Sequence, residues 1–108
     1  MTAEPGADPP PIACSLDAGA LTERLAEWRD LVASSVVRLE AEATAVHMVL
    51  DDSESALLAA ASLGQREKQC CAFFDVAIDI GTDRRTLSLS VPAGAEDAMA
   101  TFVALLTG

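Results

Sequence analysis

The sequence predicts an α+β fold, a two-layer sandwich with three helices on one face of a mostly antiparallel sheet. Two observations predict it. Segments with apolar residues at helical spacing alternate with segments whose apolar residues recur at every second position. The period-2 segments carry only one strongly apolar face, which suits strands covered on one side. The predicted order is β-α-β-β-α-β-β-α, in a single domain spanning 12–108.

Residues 1–11, "MTAEPGADPPP", form a leader rich in proline, alanine and acid, with little to bury, and disorder is expected there. "PIACSLD" then reads as a short extended segment, with Pro11 blocking a helix and Asp17 placed as a cap. "AGALTERLAEWRDLVASS" sets Leu21, Leu25, Trp28 and Val32 at helical spacing, with Trp28 as the largest packing anchor. "VVRLEAEATAVHMVL" alternates, but its parity changes: Val37, Leu39 and Ala41 are odd, whereas Val46, Met48 and Leu50 are even. A period-2 pattern that switches parity needs a turn or bulge, placed here at 42–44.

"DDSES" supplies cap candidates for a second helix that runs to about Cys71. Phe74, Val76, Ile78 and Ile80 alternate with Asp75, Ala77 and Asp79; "GTDR" turns the chain; Leu87, Leu89 and Val91 alternate with Ser88 and Ser90. That is a hairpin with one apolar and one polar face. The last helix places Met99, Phe102 and Leu106 on one side.

Charge narrows the partners. Seven basic against seventeen acidic residues give a net charge of −10, and taking away Glu4 and Asp8 of the leader still leaves −8. A polyanion is repelled by such a chain, so neither nucleic acid nor an anionic membrane is expected as a partner. A cation or a basic protein surface is easier to accept, and the alternative to a binding site is a structural or protein-interaction domain, in one form a homodimer, whose cysteines only pack. No apolar run reaches the ~20 residues of a spanning helix, and the leader has no apolar stretch of a signal peptide. With three cysteines, an odd number, reduced thiols in the cytoplasm are expected.

The chemistry concentrates in "REKQCCAFFDVAIDI". On a helix, Glu67, Cys70 and Cys71 stand at i, i+3 and i+4, within an arc of about 100°. Cys14, on the predicted first strand, can run beside the end of that helix in a two-layer fold. Three thiolates with Glu67 as ligand or nearby base would select a soft or borderline ion: Zn(II), Hg(II), Cu(I) or As(III). Two other readings stand beside this one. Reduced cysteines often pack as small apolar fillers, and vicinal thiols can act as a redox switch.

A thiol at a helix C-terminus in an acidic chain lacks the positive surroundings that favour thiolate, and Arg66 and Lys68 compensate only in part. A bound ion supplies its own charge and deprotonates its ligands, so a binding module rather than an enzyme is expected. His47, the only histidine, is opposite in parity to Val46 and Met48 and is placed on the polar face. "LDDSE" lacks the spacing and glycine of a calcium loop and reads as a helix start.

"IACSLD", "LTERLAEWRDLV", "REKQCCAFFDVAIDI" and "LSLSVPAGAEDAM" together resemble a small bacterial domain with a cysteine in its first strand, a "RLAEW" helix and an E-x-x-C-C-x-F-F segment. That domain is associated with uncharacterised actinobacterial proteins and with extensions on heavy-metal-responsive regulators of the mercury-resistance type. The resemblance covers residues 12–106. It implies heavy-metal sensing or sequestration, with Cys14, Glu67, Cys70, Cys71, Phe73 and Phe74 as signature positions. The chain shows no DNA-binding helix-turn-helix, and it lacks the glycine-containing turn expected near Ala43.

Overall fold

The computed structural model describes residues 18–70 and 74–107. The leader at 1–11, the predicted strand at 12–17, and Cys71 and Phe73 lie outside them. The described elements are α1 (Ala18–Ser35), β1 (Val36–Ala41), β2 (Ala45–Leu50), α2 (Glu54–Cys70), β3 (Asp75–Ile80), β4 (Arg85–Ser90) and α3 (Glu96–Thr107). The α+β prediction holds. Four strands form one antiparallel sheet in the order β1-β2-β4-β3, with two hairpins joined through the central β2–β4 pair.

The turn expected at 42–44 is present, closed by the Glu42 N–H donating to the Ala45 carbonyl at 2.7 Å. A second irregularity was not legible in the parity pattern. The β1–β2 register slips between Val36 and Arg38, so Val36, Leu39 and Ala41 share the helix side. Val37, expected with Leu39 and Ala41, is instead 66% exposed. A bulge inserts one residue without a partner, and every side chain before it changes face.

The core lies between the helices and the inner sheet face. Val46, Met48 and Leu50 of β2 and Leu87 and Leu89 of β4 are buried against Trp28, Leu31, Leu63, Met99, Phe102 and Leu106. Three aromatics knit the layers. Trp28 meets Phe102 edge-on at a centroid distance of 5.5 Å, and Phe74 meets the same ring at 5.3 Å. Leu31 is buried where the helical spacing had selected Val32, which is only half-buried. At the other end of the stripe Leu21 is 39% exposed.

On β3 the alternation is correct, but coverage is not. Val76, Ile78 and Ile80 pair with Leu89, Leu87 and Arg85 and so share the inner face, yet Ile80 is 62% exposed. β3 is an edge strand, and the helices do not extend over its far end. The charges of Asp75 and Asp79 on this strand guard the unpaired edge.

Local chemistry sets the element ends. The Ser53 hydroxyl accepts the Ala56 N–H at 3.1 Å and caps α2, while the Ser53 N–H and hydroxyl both donate to Asp51 Oδ1, at 2.9 and 2.6 Å. Between β4 and α3, Gly94 adopts φ +100°, a conformation that a side chain strains. Gly64 serves another purpose: a Cβ there would stand 2.8 Å from Val76 Cγ1, so α2 approaches β3 as closely as it does because position 64 has no side chain.

Two outcomes are expected. Alanine at Gly64 improves helix propensity by up to about 1 kcal/mol but overpacks the α2–β3 contact at a cost of about 1–3 kcal/mol. The Gly64→Ala midpoint in urea therefore falls, and an unchanged or higher midpoint would show that Val76 yields without cost. Donation by the Ser53 hydroxyl and N–H holds the Asp51 carboxyl below its ordinary value of 3.8. The stability it adds is present above that value and is lost as the pH falls through the lowered folded one. An NMR titration of Asp51 should place its midpoint under 3.8, and Ser53→Ala should move it upward.

Candidate functional site

Helices α1 and α2 pack antiparallel, which brings the start of α1 against the end of α2. Glu67, expected beside the thiols, is 4% exposed and is the only buried ionisable residue among the described ones. A carboxylate in such a place requires donors. The Trp28 indole N–H donates to Oε1 at 2.8 Å, and Arg24 Nη1 reaches the same oxygen at 3.4 Å. Arg24 Nη1 also lies 3.3 Å from Cys70 Sγ. One guanidinium thus serves a carboxylate and a sulfur three residues apart on the facing helix.

The electrostatics follow from this arrangement. Partial burial works against the charge of Arg24, but hydrogen bonding and attraction to Cys70, and then to Glu67, outweigh it and hold its pKa above its ordinary value. Cys70 Sγ also lies 3.7 Å from the Glu67 carbonyl, to which its S–H can donate. Arg66 is turned onto Glu27, with two contacts at 2.9 and 3.1 Å, and Lys68 donates to the Phe74 carbonyl at 2.9 Å. Arg24 reaches Cys70 from α1, 46 residues earlier in the chain.

Of the four residues selected from sequence, the structure places Glu67 and Cys70 at this corner. Glu67 is buried and Cys70 half-buried. Cys14 and Cys71 lie outside the described residues. Among the described residues no group of three His, Cys, Asp or Glu side chains is arranged to hold a metal ion. Glu67 Oε1 is taken by Trp28 and Arg24, which leaves Oε2 as its oxygen for an ion. His47 stands on the open sheet face, away from this corner, as its parity required.

Sequence reasoning missed two participants. Trp28 was read as packing alone, yet its N–H holds the carboxylate; a buried indole needs an acceptor, and that requirement was the available signal. Arg24 sits on the same stripe as Trp28, one turn earlier, and nothing in its own segment marks it. A slot of about 70 Å³ opens beside the pair, walled by Leu21, Leu25, Phe102 and Leu105. It is smaller than the ~150 Å³ cavity that admits a benzene-sized molecule, and its walls are largely apolar.

No protein-family model matches the chain, and no curated protein or solved structure is significantly similar to it. No helix among the described residues is long and apolar enough to cross a membrane.

Removing the carboxylate should cost more than neutralising it. Glu67→Ala strands the Trp28 N–H and leaves Arg24 without its buried partner, a loss of about 3–5 kcal/mol. Glu67→Gln keeps an acceptor for the indole and should cost about 1–2 kcal/mol. Urea denaturation followed by circular dichroism checks the order, and equal losses would mean that the acceptor for the Trp28 N–H adds nothing beyond the charge of Glu67.

Proposed function

We propose that the protein is a thiol-based binding module for a soft metal or metalloid ion, acting in a reducing compartment to sense, buffer or deliver it. The observation that carries this reading is the position of Arg24 between Cys70 and Glu67. Several thiolates gathered on one ion leave an excess of negative charge, and a fixed guanidinium offsets part of it. N–H donation to a ligating sulfur is compatible with metal binding and orients the ligand.

Chain connectivity supports the participation of the other two thiols. Cys71 follows Cys70 directly. Cys14 precedes the first residue of α1 by four positions, a tether of at most about 14 Å, and α1 begins at the end of α2. In this reading Cys70 and Cys71 supply two sulfurs, Cys14 a third, and Glu67 a fourth donor or a nearby proton acceptor. Zn(II), Hg(II), Cu(I) and As(III) all accept such a set. The resemblance of "REKQCCAFFDVAIDI" to a domain associated with heavy-metal-responsive regulators supports the same chemistry.

A second reading is favoured by the same contact. A thiolate beside a guanidinium reacts readily with oxidants, and Cys70 then serves as a redox-sensing thiol.

Anaerobic titration of the reduced protein with Hg(II), Zn(II) or As(III) separates these readings. Binding should give thiolate-to-metal charge-transfer absorption and a stoichiometric mass increase. Cys70→Ser should weaken it at least about 100-fold while the circular dichroism spectrum is retained, the scale on which losing a ligand acts. Arg24→Gln should move the onset of binding to higher pH. If Cys70→Ser binds as the parent does, the ion-binding reading fails. If no ion binds but dilute peroxide adds oxygen to Cys70 faster than to an unfolded control, the redox reading replaces it.

A further inference from the structure

The open face of the sheet, which no described helix covers, carries a second chemical arrangement that is separate from the thiol corner. His47 of β2 and Ser88 of β4 are directly paired across the ladder. The Ser88 hydroxyl lies 2.7 Å from His47 Nδ1, and Glu42 Oε2, from the β1–β2 turn, lies 2.9 Å from His47 Nε2. Both ring nitrogens are therefore engaged.

The protonation pattern follows from the partners. An ionised carboxylate only accepts hydrogen bonds, so Nε2 must carry the proton that it donates to Glu42. In the neutral ring Nδ1 is then the bare nitrogen and must accept the Ser88 O–H. A hydroxyl donates to a base, and that base is oriented by a carboxylate that stabilises the imidazolium once formed. These are the three roles of an activated oxygen nucleophile, in the order the chemistry requires.

The surroundings select the electrophile. Across the β3–β4 ladder Ser88 faces Ala77, whose methyl leaves room for a small acyl group on that side. β4 is hydrogen-bonded to β2 and to β3, so its backbone N–H groups are committed to the ladders and do not form a pair aimed at a developing oxyanion. Without that stabilisation only an acyl donor with a good leaving group reacts. Charged groups facing this site are Glu40 and Arg38 of β1, which form an ion pair at 2.8 Å, Arg84, which lies 3.7 Å from Glu40, Glu42, and Asp75 and Asp79 of β3. Carboxylates predominate, which disfavours an anionic donor.

We propose that Ser88 is an acyl-acceptor site, modified by small, neutral or cationic activated acyl donors of the thioester or aryl-ester class, with His47 as general base and Glu42 as its positioning residue. Ser88 Oγ forms a bond to the acyl carbon as its proton passes to His47 Nδ1. The bond from that carbon to the thiolate or aryloxide leaving group breaks with its electron pair, and the imidazolium returns the proton to the leaving group or to solvent. Nothing is oxidised or reduced, and no further reactant is needed.

The full-length protein, incubated near neutral pH with p-nitrophenyl acetate, should release p-nitrophenolate and gain one acetyl group that peptide mapping places on Ser88. Ser88→Ala should abolish that adduct. His47→Gln should slow it about 100-fold, the low end of what a positioned base contributes, with the circular dichroism unchanged. Glu42→Gln should reduce the rate less, shifting its pH profile and leaving the mapped site the same. Acetylation confined to lysines or cysteines, or a His47→Gln rate equal to that of the parent, overturns the proposal. Because Ser88 is remote from Cys70, a failure here does not bear on ion binding, and Cys70→Ser should acylate normally.

Discussion

The indole of Trp28 donating to the buried carboxylate of Glu67 is the constraint on which the helical layer depends. Charge in an apolar interior is costly, and it is tolerated only where donors meet it. Trp28 supplies one from within the aromatic stack that also contains Phe102 and Phe74. The same ring therefore packs in the core and ties α1 to α2 through Glu67. Arg24, one turn earlier on α1, completes the arrangement and extends it to the sulfur of Cys70. Packing of the two helices thus also sets the surroundings of the Cys70 sulfur.

Much of the fold was legible because two periods suffice to place its elements. Alternation over 74–80 and 85–91 fixed the second hairpin, and the spacing of Met99, Phe102 and Leu106 fixed α3. The bulge at Val36–Arg38 was not legible, because a single unpaired residue leaves no trace in a six-residue strand of mostly apolar side chains. Nor was the exposure of Ile80, since periodicity reports which face a side chain takes and not whether another element reaches it.

The candidate site was legible in part for a related reason. Glu67 and Cys70 share a helix, and helical spacing alone groups them. Arg24 belongs to another helix, and its contact depends on the packing of α1 along α2, which no local pattern encodes. The same holds for the polar face: parity placed His47 there, but its engagement by Ser88 depends on β2 pairing with β4 rather than with β3. The sequence argument on charge at the end of α2 covered its own segment alone, and Arg24 reaches Cys70 through tertiary structure.

The sheet separates two kinds of chemistry by its thickness. Soft, thiol-based contacts gather on the helical side, and a hard hydroxyl–imidazole–carboxylate chain occupies the other. Trp28, the one tryptophan in the chain, sits at the first of these with its N–H on Glu67. Its ultraviolet emission is thus an intrinsic optical gauge of that corner: heavy-atom quenching or a change in the indole's polarity would register there without any attached dye.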